Sequence, residues 1–279
     1  MKRRVLSVLL SLCLVLSLLP TAAFAQGKSY VALGDSITTG DGLAGSEQAF
    51  PEIVAEETGY DLTNLAVSGA TSQDLLETLS DDRASDAVEG ADLITITIGG
   101  NDLMGALYLY LANEYNEKNN TSFDADDVRD ALMGEEDAPV EQMTMVLFAA
   151  GKLSSFTQSD EADTAFTEFA ENLSAIVTTI KTANPDVSII VANQYNPYSS
   201  FEGTMLALVA TVFDEGLTLL NGIIDAGAGT GAYSVADVYG MFDQAGETPC
   251  NAYFTSTTDM DLDFHPNAYG HELIAEVIN

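Results

Sequence analysis

Residues 30–37 read YVALGDSI, an apolar run that passes directly into a small polar turn. A short apolar run bounded by glycine and aspartate is typical of a strand buried on both faces of a parallel sheet. Runs of the same kind recur along the chain, and the sequence predicts a strand at each. These runs are Tyr30–Leu33, Leu62–Val67, Leu93–Ile98, Val187–Ala192 and, more weakly, Tyr233–Val238.

Helical periodicity fills the stretches between the predicted strands. Apolar residues three and four positions apart predict helices over 162–183, 204–226 and 267–278, and Asn184-Pro185 ends the first of them. Strands that alternate with helices form βαβ units, so the sequence predicts an α/β fold with a parallel sheet and right-handed crossovers.

Residues 103–160 are too long for a minimal crossover after the third strand. We interpret them as a helical insertion beside the active edge of the sheet, with a surface excursion that has its own small core as the alternative. Met143–Ala150, together with Tyr108 and Tyr110, is a candidate acyl pocket or lid.

The N-terminus has the three parts of a secretory signal peptide. Residues 1–25 contain a basic start, an apolar run and an Ala-Phe-Ala cleavage site. The apolar run is shorter than the about 20 residues of a membrane span, which disfavours the alternative of an uncleaved anchor. We therefore expect a secreted, extracellular protein with one domain over residues 26–279, and no membrane span after cleavage.

The composition restricts the partners. The chain has 279 residues, 47% of them hydrophobic, and a formal net charge of −34. A chain with this apolar fraction can bury a hydrophobic core. A chain with this negative charge repels nucleic acid and anionic membranes. Cys13 leaves with the signal peptide, so Cys250 has no intramolecular disulfide partner, and we interpret it as a structural or incidental thiol. We expect a monomer.

Polar and small residues follow the first three predicted strands. GDSI follows the first at residues 34–37, the second ends in NLAVSGAT at 64–71, and the third ends in IGGND at 98–102. The carboxyl ends of parallel strands meet at one edge of the sheet, where α/β proteins place their sites. This edge therefore collects the hydroxyl of Ser36, the backbone N–H of Gly69 and the amide of Asn101.

The chain has two histidines, His265 and His271. His265 follows carboxylates and precedes Pro266, whereas His271 lies inside the last predicted helix, where it need be only a helix-face residue. An acyl-transfer site needs a nucleophile, a base and fixed donors for the oxyanion. Ser36, His265, the Gly69 N–H and the Asn101 amide supply that set.

The four blocks GDSI, SGAT, GGND and His-Pro, in this order over residues 34–266, resemble the SGNH (GDSL-type) esterase and lipase superfamily. The resemblance implies a flavodoxin-like α/β/α sandwich of three layers, with five parallel strands in the order 2-1-3-4-5. It also implies Ser36 as nucleophile, His265 as base, and the Ser36 N–H, Gly69 and Asn101 as the oxyanion hole. Members hydrolyse esters of many acids and alcohols.

The sequence departs from this family at one position. The family usually has aspartate three residues before the histidine, where this chain has Leu262. Asp263 can orient His265 if the segment is extended, and Asp261 can do so if it is a turn. Pro266 favours the extended form, and hence Asp263. A backbone carbonyl as the only orienting group is the third possibility.

Competing motifs are incomplete. Residues 40–45 match the spacing Gly-x-Gly-x-x-Gly, but they begin well after the strand, so we interpret them as a loop near Ser36. His271-Glu272 lacks the second histidine of a zinc motif, and the acids at 259–263 lack the glycine and glutamate of a calcium loop. No metal or cofactor is expected.

The sequence thus predicts a secreted serine esterase or lipase that acts on small-molecule, lipid or glycan esters through an acyl-enzyme at Ser36. Two alternatives remain. One is a non-catalytic surface or carbohydrate-binding protein on the same fold, and the other is an acetylesterase that acts on acetylated polysaccharide.

Overall fold

The computed structural model describes residues 27–133, 139–256 and 259–279. The predicted signal peptide, residues 1–25, lies outside these ranges. Five strands form the main sheet and two more form a small antiparallel hairpin. Their bounds are β1 Ser29–Gly34, β2 Asp61–Asn64, β3 Leu93–Thr97, β4 Ser188–Ala192, β5 Ser234–Ala236, β6 Tyr253–Ser256 and β7 Asp259–Asp261.

The main sheet confirms the predicted topology. All of its pairings are parallel, and the strand order is β2-β1-β3-β4-β5. Strand β1 lies between β2 and β3, so residue 36, which follows β1, stands at the carboxyl edge between the ends of those two strands. The hairpin β6–β7 lies apart from this sheet, immediately before the segment that carries His265.

Helices cover both faces of the sheet and also build the segment after β3. Their bounds are α1 Ser36–Thr39, α2 Phe50–Thr58, α3 Ser72–Thr78, α4 Asp82–Glu89, α5 Gly100–Asn119, α6 Ala125–Met133, α7 Pro139–Phe156, α8 Asp160–Ala183, α9 Ala207–Ala228, α10 Val238–Asp243 and α11 Ala268–Ile278. The three helices that were expected from periodicity are α8, α9 and α11. Helices α5, α6 and α7 occupy the stretch that we interpreted as a helical insertion.

The strand residues alternate between two cores. Val31 and Leu33 of β1 are buried in the larger core, which includes residues of α5, α8 and α9. Tyr30 and Ala32 are buried in the smaller core, on the side of α2 and α11. Because successive strand side chains point to opposite faces, one apolar run supplies both layers. This burial fixes β1, and with it the position of the turn at residues 34–36.

Strand β2 is shorter than predicted. The run was expected to continue to Val67, but the strand ends at Asn64. The Asn64 side chain accepts a hydrogen bond from Ala66 N at 3.0 Å, which draws the backbone into a turn. Leu65 N and Val67 N still donate to carbonyls of β1, so the segment continues alongside the sheet towards Gly69.

Helix α9 corrects one expectation. By length and composition it could cross a membrane, contrary to the prediction that no stretch after the signal peptide is long and apolar enough. In this fold one face of α9 is buried against the larger core through Leu217, Leu220 and Ile224. The apolar character of this helix therefore has a packing role within the domain.

Candidate active site

Ser36 is the first residue of α1, directly after β1, and its side chain is buried. Asp35 caps this short helix by accepting a hydrogen bond from Ile37 N at 3.1 Å. A second hydrogen bond fixes the position of the turn: Asp35 N donates to Thr97 O, at the end of β3, at 3.1 Å. The N–H of Ser36 has no partner within the helix, because the first turn of a helix leaves its N–H groups unpaired.

The Asp35 carboxyl is itself buried beneath the nucleophile. Burial raises its pKa to about 6, against the hydrogen bonds from Thr97 and Ile37 and the nearby charge of His265, which all lower it. The Thr97 hydroxyl donates to Asp35 Oδ1 at 2.8 Å. This carboxyl therefore joins the end of β3 to the turn that carries Ser36, and it lies close enough to His265 for their charges to interact.

Asn101 stands on the first turn of α5, at the end of β3. Its side-chain amide donates to Ala70 O at 2.9 Å, which ties it to the turn that contains Gly69. An amide group has two N–H donors, so the second remains available for an oxyanion. Gly69 is exposed with φ of 77°, and no atom lies within 4 Å of where its Cβ would be. The positive φ therefore favours glycine at this position, although a side chain would have space there.

His265 lies between the hairpin and α11, and its ring is in contact with Asp263. Asp263 Oδ1 lies 2.5 Å from His265 Nδ1 and also accepts from His265 N at 3.1 Å. Of the three orienting groups that the sequence left open, Asp263 is therefore the one at the imidazole. Asp261 accepts from Asp263 N at 2.9 Å instead. Leu262, at the position of the family's usual aspartate, is buried among apolar residues.

Asn251 supports the Asp263–His265 pair through a hydrogen bond to Asp263. The sequence analysis missed this residue. Its amide donates at 3.0 Å to Asp263 Oδ2 and at 3.0 Å to Gly42 O. Burial acts to raise the pKa of Asp263, but the hydrogen bonds from His265, the His265 charge and the Asn251 amide outweigh it and lower that pKa. Asn251 is remote in sequence, and no motif marks it.

Two tyrosines that follow β4, Tyr195 and Tyr198, hold the segment around His265 in place. The sequence analysis missed both of them. Tyr195 donates to Phe264 O at 3.0 Å, and Tyr198 donates to Leu262 O at 3.2 Å. Both are buried. Two backbone carbonyls of the segment are therefore paired to buried tyrosines. A third, His265 O, accepts from Asn251 N at 3.0 Å, beside an antiparallel bridge between Cys250 and Pro266.

The glycine-rich loop packs against the base. At Gly42, with φ of 90°, a Cβ would lie 2.7 Å from the Cβ of His265 and 2.6 Å from the Asn251 amide nitrogen. A side chain there would displace one of them. The loop interpretation of residues 40–45 is therefore consistent with the structure, and its second glycine permits the close approach of the backbone to the base.

A small cleft, open to solvent, joins several of these groups. Ser36 and Asn101 both line it, as does Phe264, the neighbour of His265. Apolar side chains form most of its other wall. In the described part of the chain no hydrogen bond joins Ser36 Oγ to His265 Nε2. Such bonds are often long in unliganded enzymes and tighten when substrate is bound.

The second imidazole, of His271, and the thiol of Cys250 do not line the cleft, although Cys250 is bridged to Pro266, the neighbour of His265. His271 is fully buried, and Phe50 N donates to its Nδ1 at 3.2 Å. Burial lowers the His271 pKa to about 4, so this ring is neutral and structural. Cys250 is a buried free thiol whose pKa burial raises. Within the described ranges, no three His, Cys, Asp or Glu side chains converge to hold a metal ion.

Comparison with known families identifies the class of the protein. Residues 32–273 match the model of the GDSL-like lipase/acylhydrolase family. The chain belongs to this family, and the resemblance stated from its four sequence blocks is confirmed. The SGNH hydrolases form the same class, and the order of the main sheet agrees with it.

Individual relatives match over shorter stretches. The chain is 33% identical over 126 residues to YpmR of Bacillus subtilis, covering 38% of this chain and 49% of that protein. It is 36% identical over 87 residues to the spore germination lipase LipC of Bacillus licheniformis, covering 29% and 41%. The matches thus span about half or less of the length of these relatives.

Among solved structures, the fold is similar to that of an extracellular lipase from Streptomyces rimosus. The TM-score is 0.58 with 21% identity, over 91% of this chain and 99% of the other. At that level of identity the similarity shows the fold.

Proposed function

We propose that the protein is a secreted serine hydrolase of carboxylic esters, with Ser36 as nucleophile, His265 as base and Asp263 as the residue that orients it. The observation that supports this most is the proximity of two groups of residues. Ser36 and Asn101 line the cleft together with Phe264, and the Phe264 ring centroid lies 4.5 Å from that of His265, the partner of Asp263. A nucleophile, a base and oxyanion donors at one place are what acyl transfer requires.

The first half of the reaction forms an acyl-enzyme. Ser36 Oγ attacks the ester carbonyl carbon and gives its proton to His265 Nε2, while the carbonyl electron pair moves onto oxygen. Asp263 accepts from Nδ1–H, which keeps Nε2 free to accept that proton and stabilises the imidazolium. When the tetrahedral intermediate collapses, the C–O bond to the alcohol breaks and the leaving alkoxide takes the proton from His265.

The second half releases the acid. Water gives a proton to His265 Nε2 and adds to the acyl carbon; collapse then returns the proton to Ser36 Oγ and frees the acid. In both halves the oxyanion accepts from the N–H groups of Ser36 and Gly69 and from the second N–H of the Asn101 amide. The first N–H of that amide bonds to Ala70 O, so the donor is held in place before the charge develops.

Hydrolysis of p-nitrophenyl acetate and butyrate tests the activity. We expect the purified protein to release nitrophenol, and Ser36→Ala to lower kcat by about 10⁶, as removal of a serine nucleophile does elsewhere. Ser68→Ala is the matched control, because Ser68 is exposed at the same edge and bonds to Asp41. Turnover that survives in Ser36→Ala, or is absent from the native protein, contradicts the proposal and favours a non-catalytic binding protein.

The proposed secretion is supported by the N-terminal segment and can be tested separately from the activity. The N-terminal residues 1–25 have the basic, apolar and small-residue parts of a signal peptide, and a protein of the same fold is an extracellular lipase. We expect the protein recovered from culture medium to begin at Gln26. Mass spectrometry of its N-terminal peptide measures this, and an intact leader on cell-bound protein would contradict it.

A further inference from the structure

Gly69 lies in an exposed four-residue turn between β2 and α3. Ala70 N donates to Val67 O at 3.1 Å, which closes the turn, and Gly69 has the positive φ that its third position often requires. The entry of the turn is held by β1, because Val67 N donates to Gly34 O at 3.0 Å. The direction of the Gly69 N–H then depends on what holds the exit.

Two consecutive residues of α5 hold that exit. The Asn101 amide donates to Ala70 O at 2.9 Å. The Asp102 carboxylate accepts from Ser72, the first residue of α3, through its N–H at 3.0 Å and through its hydroxyl at 2.5 Å. The turn is therefore suspended between β1 and α5, the two elements that position the other donors of the proposed oxyanion hole.

The contact between Asp102 and Ser72 lies inside the domain. Ser72 is fully buried, and its hydroxyl also accepts from the Asn172 amide of α8 at 3.0 Å. Burial raises the pKa of Asp102, although the hydrogen bonds from Ser72 act to lower it. Hydrogen bonds to a carboxylate that is partly shielded from water are stronger than those on the surface. The exit of the turn is thus joined to both α5 and α8.

Asn101 and Asp102 have different parts in this arrangement. The Asn101 amide has one N–H for Ala70 O and one for the oxyanion, so a shift of Ala70 also moves the donor. Asp102 does not line the cleft that contains Ser36. Its carboxylate can therefore keep the same partners throughout the reaction, while Asn101 gains a new one.

We propose that Asp102 is a positioning residue for the hydrolysis. Its carboxylate holds Ser72, and with it the exit of the turn, where the Gly69 N–H and the Asn101 amide reach one oxyanion. This inference rests on the proposed function, since it concerns the same oxyanion hole. A misplacement of about 1 Å can cost about 10² in rate. Replacement of Asp102 should therefore slow the chemical step and leave the binding of substrate unchanged.

Kinetics of Asp102 variants test the proposal. Asp102→Ala removes both acceptors of Ser72, so we expect kcat for p-nitrophenyl butyrate to fall roughly 10- to 100-fold, with KM near the native value. Asp102→Asn should recover most of the activity, because its amide oxygen accepts from Ser72 N and its amide N–H donates to the Ser72 hydroxyl. Ser72→Ala keeps only the N–H and should lie between the two.

Asp74→Ala is the matched control. Asp74 lies on the same helix and forms its capping box, accepting from Thr71 N at 2.9 Å and from the Thr71 hydroxyl at 2.7 Å. Its loss weakens the start of α3 but leaves the contact with α5 in place, so kcat should stay near the native value. Equal losses in Asp74→Ala and Asp102→Ala would make Asp102 a helix cap only and overturn the proposal. A loss in KM alone would overturn it as well.

A tetrahedral inhibitor measures the oxyanion hole itself. Propylboronic acid adds to Ser36 Oγ, and one of its oxygens takes the place of the oxyanion, as in other transition-state analogues. We expect its Ki to rise in Asp102→Ala by the same factor as kcat falls. The Kd of butyrate, which lacks the tetrahedral centre, should not change. An unchanged Ki would contradict the proposed role of Asp102.

Amide exchange separates this inference from the proposed function, because it needs no turnover. In Ser36→Ala, NMR follows the Ala70 N–H, whose bond to Val67 O closes the turn. This N–H should exchange roughly 10-fold faster in Ser36→Ala/Asp102→Ala, but not in Ser36→Ala/Asp74→Ala. Faster exchange in a protein without esterase activity would contradict the proposed function and still show that Asp102 holds the turn. Native turnover with equal exchange in all three proteins would overturn the role of Asp102 alone.

Discussion

The serine half and the histidine half of the candidate site are built differently. Ser36 and Asn101 each follow a strand of the main sheet, so buried β1 and β3 fix their backbones. The segment 262–267 instead lies outside the main sheet. It is held by the side chains of Tyr195, Tyr198 and Asn251 and by an isolated antiparallel bridge between Cys250 and Pro266. The first half is as rigid as the sheet, whereas the second depends on a few individual hydrogen bonds.

This difference separates positions that tolerate change from those that do not. In the serine half the reacting groups themselves matter most, because the scaffold beneath them survives their replacement. In the histidine half the supporting side chains matter as well, since the segment has an isolated backbone bridge in place of a full strand ladder. Four substitutions test this difference, and their expected effect on catalysis decreases from the first to the last.

The largest effect is expected at Asp263. Asp263→Asn removes the acceptor at His265 Nδ1 and favours the wrong tautomer, so kcat should fall by up to about 10⁴. Asp261→Asn is the control, and it should cost less than about 10-fold. Steady-state kinetics on p-nitrophenyl butyrate measures both. Similar small losses in the two variants would mean that the enzyme works with a Ser–His dyad.

The next effect is expected at Asn101, in the rigid half. Asn101→Ala should leave the protein folded and lower kcat by about 10²–10³, the usual consequence of losing one oxyanion donor. Asn113→Ala, an exposed position on the same helix, should match the native enzyme. If the loss appears in KM alone, Asn101 binds the ground state of the substrate and is no oxyanion donor.

A smaller effect is expected at Asn251, which acts through Asp263. Asn251→Ala should lower kcat/KM about 10-fold, the scale of one hydrogen bond to a charged group. Because the Asn251 amide helps to lower the Asp263 pKa, its loss should also raise the pH at which activity falls on the acid side. A pH–rate profile checks this shift. A loss of activity with an unchanged acid limb would assign Asn251 a structural role.

His271 should matter least for catalysis and most for the pH dependence of stability. The unfolded chain binds a proton at His271 below its usual pKa of 6.5, but the folded protein does so only near pH 4. Stability from this group is therefore present above pH 6.5 and falls by up to about 3 kcal/mol as the pH drops to 4. His271→Asn keeps an acceptor for Phe50 N and should lack this dependence.

Urea unfolding of both proteins between pH 4 and 7 makes the measurement. Asp35 acts in the opposite sense, because its raised pKa of about 6 lets the folded protein bind a proton first as the pH falls. The difference between the native and variant curves isolates His271. Parallel curves would show that His271 does not titrate in this range, while kcat at pH 8 should be alike in both.

The two halves also differ in what the sequence reveals. Strand β1 and the turn at Ser36 could be predicted because short apolar runs and their polar ends are local signals. The order of the sheet was implied by the family resemblance. The contact between Asp263 and His265 was favoured by Pro266, also a local signal. Asn251, Tyr195 and Tyr198 carry no such signal, because each acts on a residue far from it in sequence.

The helical region after β3 shows the same limit. Its helices could be predicted, but which of their side chains meet could not, since that depends on how the helices pack. Of the two tyrosines proposed for an acyl pocket, Tyr108 lines a small cavity between α5, α7 and α9, whereas Tyr110 does not. These positions are two apart on α5, and such neighbours point to different sides of a helix.

The glycines of residues 40–45 have a consequence for mutational tolerance and for motif searches. Gly42 lies against His265 and Asn251, so a saturation library at this position should return few active clones. Gly45 has φ of 62° with open space around it, so asparagine and aspartate should be recovered there. The spacing that imitates a dinucleotide fingerprint thus records two close contacts, at Gly40 and Gly42, and one turn, at Gly45. A pattern search alone would predict that this loop binds a nucleotide. In this fold the loop does not directly follow a strand, as a dinucleotide site requires.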